Sequence, residues 1–158
     1  MKRSPLVLSL LLFGLLLTGI VAIGCKEYDV DDTNYGNILR VTATPTGAEE
    51  VPAVSTPGSG TLEAELDKTT KVLRYRLTWN NLKDSAILAH FHGPASPGQN
   101  AGVLINIFLT RRASSGTISD TTTLSDANYQ LFLDRKMYVN VHSKVHPGGE
   151  IRGQITVQ

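Results

Sequence analysis

Between Thr61 and Trp79 the chain alternates apolar and polar residues, reverses once at Asp67-Lys68-Thr69-Thr70, and then alternates again. Leu62, Ala64 and Leu66 interleave with Thr61, Glu63 and Glu65, while Leu73, Tyr75, Leu77 and Trp79 interleave with Val72, Arg74, Arg76 and Thr78. A helix would scatter such a period-two pattern around its circumference, whereas a strand sends each set to one face. The segment is therefore predicted to be a hairpin of two half-buried strands. Its apolar face needs a second layer, and that requirement constrains everything else the chain can fold into.

Short segments of similar character fill the rest of the chain. Strands are predicted over Ile38–Ala43, Ile87–His92, Val103–Leu109, Thr117–Ser119, Met137–His142 and Ile151–Val157. Pro45-Thr46-Gly47, Pro57-Gly58-Ser59-Gly60 and the turn-rich run Gly93–Gly102 separate them. Ser125–Asp134 alone reads as helical, with Ser125 as N-cap. The last two strands form a hairpin through Lys144–Gly149, with Ile151, Ile155 and Val157 inward and Arg152, Gln154 and Thr156 outward. Gly153 falls on the inward side, where a missing side chain permits close packing or a bulge. Seven or eight short strands and one helix predict an all-β fold, an antiparallel β-sandwich.

The N-terminus is of another kind. Lys2 and Arg3 precede an almost continuous apolar run from Leu6 to Ile23, ending in small residues before Cys25. Residues 1–24 read as an export signal outside the fold. Ala22-Ile23-Gly24-Cys25 resembles a bacterial lipobox, departing from it at Ala22, where leucine is more usual. The resemblance implies acylation of Cys25, the chain's one cysteine; an uncleaved transmembrane anchor is the other reading of a run this long. Acyl chains contribute about 0.8 kcal/mol per buried methylene, enough for two or three to hold a domain at a bilayer. Residues 25–37 form a polar, acidic tether and 38–158 the folded domain. The expected address is the cell envelope, and Lys26 in place of aspartate after the cysteine points to the outer membrane.

Composition removes several function classes. The net charge is +1 and there is no basic run interleaved with aromatics, so nucleic acid is not an expected partner. Asp29, Asp31 and Asp32 lack the glycine and terminal glutamate of an EF-hand loop. No serine or threonine sits in a nucleophile elbow, and Glu50 has no evident second carboxylate, so catalysis is not expected.

Three histidines carry the remaining chemistry. His90 and His92 share a strand face opposite Ala89 and Phe91, and His142 lies with Tyr138 and Asn140 opposite Val139 and Val141. If their strands meet at one end of the sandwich, three imidazoles converge there as ligands for copper or zinc. The alternative is a polar cluster that satisfies loop carbonyls and amides. Glu150 and Arg152, two apart, read as a surface pair or as an arginine pinning loop carbonyls; His146 reads as exposed.

Three stretches together are similar to the CHRD domain: Gly47–Pro52, Ala89–Ala95, and Tyr138–His142 leading to Pro147–Gln154. The resemblance covers about Ile38 to Val157. It implies an extracytoplasmic β-sandwich and, for bacterial members, no established activity; the expectation for this chain is an immunoglobulin-like or superoxide-dismutase-like sandwich acting as a binding or structural module with a protein or glycan ligand. A second, weaker likeness is to copper-zinc superoxide dismutases, which would make His90, His92 and His142 ligands. It breaks at Gly93–Gly102, which holds no histidine or aspartate, so neither a bridging histidine nor a zinc cluster carries over.

Overall fold

The computed structural model describes residues 36–158. The predicted export signal, Cys25 and all but the end of the predicted tether lie outside the described residues. Nine strands follow one another: β1 (Ile38–Ala43), β2 (Ser59–Asp67), β3 (Val72–Asn80), β4 (Ala86–His92), β5 (Val103–Ile107), β6 (Gly116–Thr123), β7 (Tyr138–Ser143), β8 (Ile151–Gln154) and β9 (Thr156–Val157). Among the described residues the one α-helix, α1 (Asp126–Leu133), lies between β6 and β7, and a 3-10 turn (Gly47–Glu49) follows β1. The strands form two antiparallel sheets, β6-β3-β2-β1-β9 and β5-β4-β7-β8, and the fold is an all-β sandwich.

The β2–β3 hairpin shows how the sequence pattern becomes a core. Leu62 faces Leu77, Ala64 faces Tyr75 and Leu66 faces Leu73, all buried. At the turn, the Asp67 carboxylate accepts hydrogen bonds from the backbone N–H groups of Thr69 and Thr70. Lys71 takes a left-handed φ of 58°. From the opposing sheet come Ala89, Phe91, Val139, Val141 and Ile151, with Phe91 edge-on to Tyr75 at 5.4 Å. Helix α1 adds Phe132 to this core, 5.8 Å from Phe91, and its first turn is capped by Ser125, which accepts from the Asn128 N–H.

Three predicted elements differ. Ile151–Val157 is two strands: β8 pairs with β7, the chain crosses between layers at Ile155, and β9 joins β1 in the other sheet. The crossing occurs where a loop grips the free edge of β8, with Thr46 and Arg152 exchanging backbone hydrogen bonds of 2.9 and 3.0 Å. A Cβ on Gly153 would stand 2.8 Å from Pro45 N and 3.0 Å from Thr44 C, so only glycine fits against that backbone. Thr117–Ser119 extends into an eight-residue strand because β6 pairs with β3 along its whole length. Conversely, β5 stops at Ile107, two residues short of Leu109.

Candidate metal centre

Strands β4 and β7 are neighbours, with His90 opposite Asn140, His92 opposite Tyr138 and Leu88 opposite His142. Since Ala89, Phe91, Val139 and Val141 fill the core, the alternate residues project from the outer face of the smaller sheet. Around the histidines that face is covered, although Leu88 and Asn106 on it are exposed: every residue of β7 is buried, and His90, His92 and His142 are only 7–8% exposed. The histidines thus converge across two adjacent strands on the covered part of a sheet face, not at one end of the sandwich.

Two of the rings are fixed from behind. His92 Nδ1 lies 3.0 Å from the Ala101 carbonyl oxygen and His142 Nδ1 lies 2.9 Å from that of Pro147. A carbonyl oxygen only accepts, so each Nδ1 carries a proton and donates it. Burial holds all three rings below the usual imidazole range, with His90 pushed down to about 4 by burial and then by the neighbouring His142 and His92. At neutral pH the rings are uncharged, and the Nε2 lone pairs of His92 and His142 are left facing inward.

These lone pairs meet at one place. Each Nε2 is 3.0 Å from Asn140 Oδ1, which like an unprotonated ring nitrogen only accepts, so neither contact is a hydrogen bond with the amide in this orientation; His142 Nε2 is 3.1 Å from His90 Nδ1. One nitrogen from each ring lies within 4.8 Å of the others. A tetrahedral metal bonded at roughly 2.0–2.1 Å places its ligand nitrogens about 3.4 Å apart, so the widest pair has to draw together by at most about 1.4 Å. Three neutral imidazoles with no thiolate or carboxylate suit copper or zinc. Among the described residues this is the group of histidine, cysteine and acidic side chains positioned to hold an ion.

Behind the rings lies a second buried layer. The Tyr138 ring stacks on His92 with a 1° interplanar angle and centroids 4.7 Å apart. Arg152, on the strand beyond, places its guanidinium 3.6 Å from the same ring's centroid. The guanidinium donates to the Gln99 carbonyl at 2.8 Å and to Asn100 Oδ1 at 3.3 Å. Arg152 therefore fastens the loop whose next residue, Ala101, orients His92. Glu50 faces this arginine; burial raises its carboxyl pKa to about 7 even though Arg152 opposes the rise.

Glu150 and Arg152 do not form a surface pair. Both are almost completely buried and their partners differ. The Glu150 carboxylate accepts from the Thr56 hydroxyl and the Lys83 backbone N–H. Burial pushes its pKa up, but these bonds, one from Ser143 and the charge of His146 overcome that and hold it low. His146 is half-buried, not exposed. The role of Asn140 and Tyr138 was signalled only by their sharing a strand face with His142.

No curated protein and no solved structure matches the chain. The family model of the CHRD domain matches residues 41–155, from within β1 to the crossing at Ile155. That match spans well over half of the sequence and nearly all of the sandwich, so the chain belongs to the CHRD domain family.

Proposed function

We propose that this CHRD domain is a non-catalytic binding module of the cell envelope that holds a copper or zinc ion on His90, His92 and His142. The observation that carries the reading is the pair of Nδ1–H bonds to the Ala101 and Pro147 carbonyls. Metal-bound histidines characteristically donate their second ring nitrogen in this way, which fixes tautomer and aim together. Neutral buried rings also favour a cation, because no ligand has to lose a proton first. Nothing near the three rings supplies a nucleophile with an adjacent base, in keeping with storage or delivery of the ion rather than catalysis. Attachment of the chain to the outer membrane through acylated Cys25 completes the proposal.

Calorimetric titration of the full chain with zinc and with copper(II) tests it. The expected result is one ion per chain, lost in His142→Ala and kept in His146→Ala. Absence of stoichiometric binding, or equal loss in both variants, rejects the metal. The anchor is tested separately: globomycin should block processing and Cys25→Ala should abolish acylation, and a mature chain without lipid rejects it.

A further inference from the structure

At one end of the sandwich three loops are stitched together by backbone hydrogen bonds, beside Thr56 and Gly58 of the uncharged last part of the β1–β2 loop. Leu82 N–H donates to Ser114 O, Ala86 N–H to Ala113 O, and Lys144 N–H to Ser85 O. The loops are those between β3 and β4, between β5 and β6, and between β7 and β8. They present Lys83, Arg111, Arg112 and Lys144, all exposed. Against these four cations the same loops carry one accessible acid, Asp84, which already feels the charge of Lys144 and accepts from Ser85 N–H. Their other acid, Glu150, is buried. The chain as a whole has a net charge of only +1, so this end is distinctly more basic than the molecule.

The same end exposes apolar groups that the fold does not use. Phe108 is 76% exposed, more than any other large hydrophobic side chain among the described residues, and Val145 is 52% exposed. The neighbour of Phe108, Leu109, packs against the core and ties the loop down, so the phenyl ring projects from a fixed base. Each apolar residue sits beside cations in the chain: Phe108 ahead of Arg111 and Arg112, and Val145 next to Lys144. A protein-docking patch is typically a continuous apolar centre with charge at its rim. Phe108, with exposed Leu88 next to it past the Ala89–Ile107 pair, and Val145 are small apolar groups set among Lys and Arg, which matches a bilayer interface, where anionic headgroups and acyl chains lie within one side chain's reach of each other.

We infer that this end of the sandwich docks on a bilayer containing anionic lipid, with Phe108 inserted below the headgroups and Lys83, Arg111, Arg112 and Lys144 paired with them. The inference is independent of the metal centre and of acylation at Cys25. It adds a contact that orients the domain on the surface, whatever holds the chain there.

The test uses the full chain carrying Phe108→Trp, reconstituted with vesicles of phosphatidylcholine alone or mixed with phosphatidylglycerol, with bromine-labelled acyl chains as quencher. The native Trp79 is 1% exposed and bonded to Ala113 O, so wild-type protein supplies the background. The expected result is quenching of the new tryptophan that requires phosphatidylglycerol and is reversed by salt. Adding Arg111→Ser and Arg112→Ser weakens docking roughly thirty-fold, which takes the quenching to background. Quenching equal to wild type in every vesicle, with the new tryptophan still open to aqueous iodide, overturns the inference and leaves this end to an acidic protein partner. Quenching that is indifferent to phosphatidylglycerol overturns it as well.

Discussion

Arg152→Met tests the buried layer behind the histidines. Methionine fills much of the same volume, so packing is largely kept while the charge is removed. The variant loses a charge-assisted bond to Gln99 O and a longer one to Asn100 Oδ1, together about 1.5–3 kcal/mol. It also loses a desolvated cation–π contact on Tyr138, up to about 2 kcal/mol. The expected cost is about 3–5 kcal/mol, the range for removing one member of a buried charged network. Against a total stability of about 5–15 kcal/mol this is large but survivable. Urea unfolding of the full chain measures it. The cost should also depend on pH: Glu50 ionises in the folded protein near pH 7, with Arg152 favouring the ionised form. The variant should therefore be more damaging at pH 8 than at pH 5, and that difference should vanish when Glu50 is also changed to Gln. A cost below about 1 kcal/mol, or an equal cost at both pH values, refutes the reasoning.

Further outcomes follow from the same contacts. Because the folded pKa of Glu50 is about 7 and its ordinary value is 4.5, its stabilising contribution is full below pH 4.5 and lost as pH rises through 7. Glu50→Gln should accordingly gain on the wild type between pH 5 and pH 8 in urea midpoint; a constant gap contradicts this. Gly153→Ala should cost about 1–3 kcal/mol or more by driving a methyl into the Thr44–Pro45 backbone, whereas Gly102→Ala, with open space around it, should be nearly neutral in thermal melts. Because burial holds all three imidazoles below their ordinary range, acid should release the metal at a lower pH than it does from exposed imidazoles binding the same ion with equal affinity at neutral pH; release at the same pH in a competition titration contradicts buried neutral rings.

The parts of the fold written in period-two alternation were legible in the sequence: the β2–β3 hairpin, the inward Phe91 and Val141, and the outward histidines all follow from it. What alternation leaves open is the neighbour relation between strands. Register brings His90 opposite Asn140 on adjacent strands, and no local pattern specifies that pairing. The crossing at Ile155 was hidden for a similar reason, since the residues on either side of it are all compatible with one strand, and only Gly153 hinted at a close backbone. Edge strand β6, rich in Thr and Ser, has too little apolar contrast for its length to be read. Arg152 holds a loop carbonyl, that of Gln99, as one of the two sequence readings had it, but the burial of Arg152 and Glu150 was not legible, because burial of an ionic side chain depends on loops that fold over it from distant sequence. The orienting carbonyls of Ala101 and Pro147 are backbone atoms that any residue would supply, so the sequence carries no mark of them.

X-ray absorption at the metal edge of the loaded full chain bears most directly on the three-imidazole centre. The account predicts a first shell containing three nitrogen ligands at roughly 2.0–2.1 Å, with the outer-shell scattering of three imidazole rings. A shell fitted by one imidazole or none, with oxygen making up the rest, contradicts it.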